Sequence, residues 1–533
     1  MSSVTSPAGL SSPPPRTAQA GLGRAARAMA LATAVSRFLG FGRVLVIAAV
    51  LGTTDLGNTF SASNSVSNVL FDLLAAGALS AVLVPAFVER LERRVDGGST
   101  ADAERLAGAL LGWSLVVLGP ICLAGVLAAP ALARLLTTGT PDPVVAAGQR
   151  HLATFLLRLF VPQVLLYAVG AVTTAVLHAK RHFTVTAIAP IGNTVMMILA
   201  LGAFRMLHGG GAAGLDLTTP ERWALGAAGT LGVAAFVGIP AVAVWRTGFR
   251  LRIRLPKPSA VPGLSEAVRL SGWAGLQHGG TAVLLAAALL VGMGVSGGVV
   301  AYQVAFACFL VPYAVLALPL ITAVLPELAG EAGRGDLPAF GRSLRWALDG
   351  MVGFVVPVSV AGVVFAPRVM GALAFGQTSE GGGRLIGFGL AALAAGLLPY
   401  GAFLLFVRAH YALGEGRAPA RVAMATAGLG AALMGVGGAL AHGDAKLAVM
   451  GAAHTLAYLI GAVVLGGGLA RRTGQPLAPA RLGRALLVSV GLGAACAGVL
   501  RAVGPAGRTA TLGLVGVLGA LAAGVYVLVV PPR

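Results

Sequence analysis

Charge is scarce in this chain. Asp, Glu, Lys and Arg make up 11% of its 533 residues, and only 18 residues are acids. Soluble domains carry about a quarter charged residues, so an ordinary water-exposed globule is excluded. Cysteine is scarcer still. Cys122, Cys308 and Cys496 stand far apart in apolar stretches. Without a CxxC pair or a Cys/His grouping, neither a disulfide framework nor a zinc site is indicated. So few acids leave no pair of buried carboxylates and no His/Asp cluster for acid–base work. There is no phosphate-binding P-loop, and therefore no sign of ATP hydrolysis. The chain is not expected to be an enzyme, and no cofactor or metal is expected.

Apolar and basic residues fill the space. Hydrophobic residues make up 57% of the sequence, and the mean hydropathy is +0.87. About fourteen apolar stretches follow one another from roughly Ala28 to Val530, each long enough to cross a hydrocarbon core of about 30 Å. They fall near 28–52, 60–88, 106–133, 150–178, 184–206, 222–246, 266–293, 299–328, 344–367, 385–408, 419–440, 447–469, 483–502 and 509–530. Lipid admits only helices or closed barrels, and these runs lack the period of two that a barrel needs. With the N-terminus cytoplasmic, about 24 of the 38 Lys and Arg fall in inside segments, about 7 outside and about 7 within spans. That asymmetry predicts a multi-pass protein of the inner (plasma) membrane. The net charge of +20 is spread between spans rather than gathered on one face. Membrane lipids of the anionic leaflet are its expected partners, and nucleic acid is not.

The expected fold is an all-α polytopic membrane protein with two six-helix lobes and two extra C-terminal helices. Residues 1–27 read as a disordered cytoplasmic tail, 28–246 as the first lobe, and 247–265 as a basic cytoplasmic linker. Residues 266–469 read as the second lobe, and 470–533 as the extra pair. Span two ends LVPAFVERLERR and span eight ends AVLPELAGEAGR, so Pro85 and Pro326 correspond. Span four exits as LHAKRHF and span ten as HYALGEGR. The offset is roughly 233–241 residues in both cases, and both members of each match leave on the same side, as in a parallel repeat. Most of the 77 glycines read as close helix packing. Gly40, Gly42, Pro162, Pro240, Pro312, Pro319 and Pro399 read as kinks.

Polar groups at bilayer depth carry the functional reading, because each is costly unless it meets a partner or a cavity. Span one holds Arg37 and Arg43, about 120° apart on a helix. Their guanidinium forks suit a phosphate, although Arg37 also lies within snorkelling distance of the edge. In span two, Ser61, Asn64, Ser65, Asn68 and Asp72 form one stripe at helical spacing. It fits either a cavity wall or interhelical hydrogen bonding. Asp72 is the deepest acid and the candidate for a proton or monovalent cation, or for a pair with Arg43. Arg158 and Gln163 flank Pro162, and span seven carries Gln277 and His278. Arg345 and Asp349 are spaced for a local ion pair in span nine.

The segments SRFLGFGRVLVIAAVLG and GNTFSASNSVSNVLFDLLAAGALSAVLVPAFVERL resemble the lipid II flippase family, MurJ or MviN, within the superfamily of multidrug and polysaccharide exporters. The resemblance rests on Ser36, Arg37, Gly40, Arg43, Asn58 to Phe60, Ser67-Asn68, Gly77-Ala78 and Val84-Pro85. Arg158 with Pro162, and the Leu325-Pro326 and Tyr411-Ala412 exits, extend it over nearly the whole chain. Four cavity charges of the family depart here: Asn58, Phe71-Asp72, Ala76 and Phe306-Ala307 stand in their places.

The resemblance implies a transporter that moves lipid-linked peptidoglycan precursor from the inner to the outer leaflet by alternating access. Its partner would be that lipid-linked substrate. Arg37, Arg43, Asn64, Asn68, Asp72, Arg158 and Gln277 are the expected binding residues, with the polyprenyl tail in a groove along the last two spans. A flippase for another polyprenyl-linked glycan, a cation-coupled multidrug antiporter and a transport-incompetent scaffold for wall synthesis remain as rivals.

Overall fold

The computed structural model describes residues 35–36, 38–71, 100–180, 182–211, 213–255, 280, 282–373, 375–378, 380–504 and 507–530. Regular structure among the described residues is entirely helical. The first half gives α1 (Phe38–Leu51), α2 (Asp55–Phe71), α3 (Thr100–Leu127), α4 (Ala129–Leu136), α5 (Pro143–Phe160), α6 (Gln163–Ala179), α7 (Phe183–His208) and α8 (Thr219–Arg246). The second half gives α9 (Ala282–Met293), α10 (Gly298–Pro312), α11 (Leu318–Gly333), α12 (Leu337–Ala372), α13 (Glu380–Ala394), α14 (Leu397–Ala412), α15 (Arg417–Leu440), α16 (Ala445–Thr473), α17 (Leu482–Val503) and α18 (Arg508–Val529). Among the described residues, ten helices or continuous helix runs are long and apolar enough to cross a membrane, and the bent pair α13–α14, taken as one span, makes an eleventh. Spans one, two and seven of the expected fourteen run into residues outside the described set. So do the tail 1–27 and most of the linker.

Local chemistry sets the boundaries. Asp142 caps α5 by accepting from the amides of Val144 at 2.7 Å and Val145 at 3.3 Å, with Pro143 in the first turn. Span four therefore begins earlier than expected. Thr218 and Glu221 form a capping box at α8. Asp336 caps α12 through the Ala339 amide at 3.0 Å. The break between α3 and α4 precedes Pro130, and that between α5 and α6 falls at Val161-Pro162. The α13–α14 pair bends by 49° ahead of Pro399. Span eight is interrupted by a π-helical turn, Tyr313–Ala317, between Pro312 and Pro319. By contrast α8 continues through Pro240 without a break.

Two groups of helices result. In the first, α7 packs on α8, α6 on α8 and α2 on α5. In the second, α13, α14 and α15 pack around α16, and α12 carries α17 and α18 on its flank. Phe309, Phe340, Leu344 and Met351 lie in the core of the second group, and Phe60, Phe160 and Phe204 in that of the first, all essentially solvent-free. At one end of the molecule the chain after Arg246 folds back on α3. The Arg254 amide donates to the Gly108 carbonyl at 2.9 Å and the Arg250 amide to Glu104 Oε1 at 2.8 Å. This is the basic end, with Arg246, Arg250, Arg252 and Arg254. The ion pair expected in span nine is not formed. Asp349 Oδ1 and Arg345 Nε are both buried with no hydrogen-bond partner among the described residues. A spacing of four places the two side chains within reach on one helix face without obliging them to pair.

Candidate functional site

The two groups meet at the end opposite the basic segment. Asn58, at the start of α2, spans the contact. Its Nδ2 donates to the Val295 carbonyl at 2.7 Å, and its Oδ1 accepts from the Val299 amide at 2.9 Å, in the first turn of α10. Thr140 Oγ1 lies 2.8 Å from Gln149 Oε1 and donates to the Met293 carbonyl at 3.3 Å. The Gln377 amide donates to the Ala49 carbonyl at 2.8 Å, and Thr378 Oγ1 to the Ala48 carbonyl at 3.1 Å. Gly297 has φ of +74°, and a Cβ there would collide with the backbone of Thr53. Only glycine satisfies both conditions. Ala62, Leu289, Met293 and Val299 share one apolar core across the same contact. Ten residues into α2, Ser65 accepts from Gln303 Nε2 at 3.0 Å.

Deeper along α1 and α2 lies a polar cluster of the first group. Arg43 sits eight residues before Leu51, about 12 Å along the helix. It is half-buried and donates from Nη1 to Asn193 Oδ1 of α7 at 3.3 Å. Tyr167 of α6 donates its hydroxyl to Asn68 Oδ1 at 3.2 Å. Ser67 donates to the Phe160 carbonyl at 2.8 Å, and Gln163 Nε2 donates to Thr230 at 2.9 Å.

So the structure turns Arg43 to α7 and Asn68 to α6, both within the first group, with Asn64 half-exposed on α2. The expected stripe divides: Ser65 turns to the second group, and Asn68 to α6. Arg37, Asp72 and Gln277 lie outside the described residues. Arg158 is not part of this cluster; it faces a separate pocket with Arg134, Arg150 and Arg222. Tyr167 and Asn193 had no pattern to mark them in the sequence, although Asn193 is the one strongly polar side chain within the apolar run IAPIGNTVMMILA.

A third feature lies on the flank of the second group. A cavity of about 440 Å³ runs between α12, α17 and α18. Its walls are apolar (Phe354, Val364, Leu492, Ala523), and Asp349, Arg481 and Tyr526 also border it. Among the described residues no group of three or more His, Cys, Asp or Glu side chains is placed to hold a metal ion.

The family profile described as lipid II flippase MurJ matches residues 47–517. A probable lipid II flippase MurJ of Rhizobium tropici is 27% identical over 331 residues, 62% of this chain and 59% of that protein. One from Rhizobium meliloti is 26% identical over 391 residues, 73% of this chain and 70% of that one. Among solved structures, a lipid II flippase MurJ in an inward closed conformation superposes with a TM-score of 0.73 at 15% identity, over 93% of this chain and 97% of the other. An inward-facing multidrug transporter of the MATE family gives 0.63 at 13% identity, over 82% and 94%. Those likenesses establish the fold.

Proposed function

The chain belongs to the lipid II flippase MurJ family, and from that premise we propose that it carries lipid-linked peptidoglycan precursor across the inner membrane by alternating access. A diphosphate taken unpaired into hydrocarbon faces a barrier that reaches tens of kcal/mol by ion solvation. A chamber with a cationic wall lowers it. Arg43 supplies that wall, since its guanidinium turns into the protein toward Asn193 and not into acyl chains. This orientation is the observation that carries the reading. Arg37, Asn64, Asn68, Asp72 and Gln277 complete the proposed lining, and Asp72 is the acid assigned to a coupling proton or monovalent cation.

Residues 28–246 and 266–469 act as the two lobes. With the N-terminus and the basic end cytoplasmic, the Asn58 contact closes the outer side, and the chamber loads from the inside. The polyprenyl tail follows the cavity between α12, α17 and α18. A membrane potential that is negative inside then favours outward movement of the anion by about 2.3 kcal/mol per charge per 100 mV. No nucleotide hydrolysis is needed.

Binding of lipid II to the purified full-length chain tests the Arg43 assignment. Losing one charge-assisted pair costs about 1.5–3 kcal/mol, so Arg43→Ala is expected to weaken binding by about tenfold or more. Equal affinity of the variant and the wild type would remove Arg43 from the site.

A further inference from the structure

Four arginines converge on one pocket at the end of the molecule where basic residues are scarce. The cavity, about 520 Å³, is lined by Arg134, Arg150, His151, Thr154, Arg158 and Arg222. Each arrives from a different constraint. The break before Pro130 starts α4 afresh and places Arg134 in its last turn. Arg150, Thr154 and Arg158 recur every four residues and share one face of α5. Arg222 lies in the first turns of α8, behind the Thr218–Glu221 capping box.

We propose that this pocket binds the phosphate of an anionic lipid seated in the outer leaflet. No acidic side chain lines it. Arg150 donates from Nε to Thr137 Oγ1 at 3.0 Å, and Arg134, Arg158 and Arg222 make no ion pair among the described residues. Like charges gathered in one cleft repel unless an anion joins them, and guanidinium forks match phosphate oxygens in pairs. The positive-inside bias makes such a concentration at the outer end costly to topology unless it serves a ligand.

The level in the membrane points to a lipid rather than a free ion. Phe155 meets Trp223 edge to face at 5.3 Å, and Trp223 is 55% exposed, as an interfacial aromatic is. Leu135, beside Arg134, is 53% exposed on the same rim. Arg158 lies eight residues beyond Arg150, about 12 Å deeper along α5. The basic wall thus descends from the aqueous rim toward the acyl chains, where a phosphate anchored to a lipid reaches and a soluble one does not. This inference needs the outer placement of that end, but not Arg43 or the identity of the transported lipid.

Lipid binding to the purified full-length chain, read by native mass spectrometry, tests it. The probes are cardiolipin, phosphatidylglycerol, phosphatidylethanolamine and inorganic phosphate. The wild type is expected to hold one cardiolipin or one phosphatidylglycerol in preference to phosphatidylethanolamine, and the preferred lipid names the source of the phosphate. Arg134→Gln combined with Arg158→Gln is expected to weaken that binding at least tenfold, and Arg222→Gln alone to weaken it less. Arg43→Ala should leave it unchanged, which separates this site from the central chamber. Lipid binding that survives the double variant, or binding of inorganic phosphate alone, would overturn the proposal.

Discussion

An imidazole buried with neither nitrogen hydrogen-bonded is an expensive residue. His454 of α16 is in that state among the described residues. Its ring sits 4.6 Å from Tyr458, 5.5 Å from Phe306, 5.7 Å from Phe309 and 5.9 Å from Tyr400. An unsatisfied buried polar group costs about 1–3 kcal/mol, and an apolar ring of similar shape avoids that cost. His454→Phe is therefore expected to raise the thermal unfolding midpoint, by about 1 kcal/mol of added stability. A lowered midpoint would mean that the imidazole has a partner outside the described residues.

Asp55 makes a second residue-scale case. It starts α2 at the contact between the two groups, where Gln149 Nε2 approaches its Oδ1 at 3.4 Å. Burial pushes its carboxyl above the usual carboxylate range; a hydrogen bond from Ser296 pulls it back, and nearby Asp142 pushes it up again. Opening the contact rehydrates the carboxyl and returns it to its ordinary value. The closed form thus holds the proton more tightly, and closure weakens as pH rises from the ordinary carboxylate value through the raised one. Labelling of Ala62→Cys in a cysteine-free background, divided at each pH by the rate of an exposed control cysteine to remove the thiolate's own pH dependence, is expected to be faster at neutral pH than at pH 4, and Asp55→Asn to flatten the ratio. A profile that falls with rising pH, or one unchanged by Asp55→Asn, would reverse the assignment.

At this scale the sequence was informative where depth alone mattered. Arg43 and Asn68 were visible as polar groups in apolar runs, and both turn to neighbouring helices of the first group. Tyr167 and Asn193 were not, because what selects them is the packing of α6 against α2 and of α7 against α1, which no local pattern encodes. The Arg345–Asp349 spacing was correct for an ion pair, yet the pair is not formed among the described residues.

At the scale of elements, hydrophobic length was the strong signal and proline the useful correction. Pro162 and Pro399 mark real breaks, at an offset inside the range read from the repeat. Pro312 and Pro319 bracket the π-helical turn. Pro240 does not interrupt α8, so a proline in a span marks a break only where neighbouring packing allows one. Helix starts were harder, since the caps at Asp142 and Asp336 lie in polar sequence ahead of the apolar runs.

The element that joins the two groups is α10. Asn58 of α2 holds its first turn through two hydrogen bonds at 2.7 and 2.9 Å. Removing both leaves the Val299 amide unpaired in the closed form, while the Val295 carbonyl keeps the Gly298 amide at 2.9 Å; an unpaired buried group costs about 1–3 kcal/mol. Asn58→Ala is expected to shift the balance toward the open outer side by about tenfold, since 1.4 kcal/mol is a factor of ten. Faster labelling of Ala62→Cys would register the shift. An unchanged rate would mean that Gly297, Thr140 and the apolar contacts hold the closure alone.

At the scale of the whole molecule, a basic end and a closed opposite end give the chain its direction. The charge asymmetry along the sequence anticipated the basic end. The closure could not be read, because Asn58, Gly297 and Gln377 are far apart in sequence and meet only when the two groups dock. The same holds for the arginine pocket, whose residues come from α4, α5 and α8. The apolar cavity beside α17 and α18 was expected only from the family resemblance, yet its walls follow from α12 carrying both helices on one flank.

The most direct measurement is the amount of lipid II exposed on the outer surface of cells depleted of this protein and then complemented. Wild type is expected to restore it, and Arg43→Ala, present at equal abundance, to leave it at the depleted level. Normal exposure in the depleted cells, or full restoration by Arg43→Ala, would contradict the account of a cationic chamber carrying a diphosphate across the bilayer.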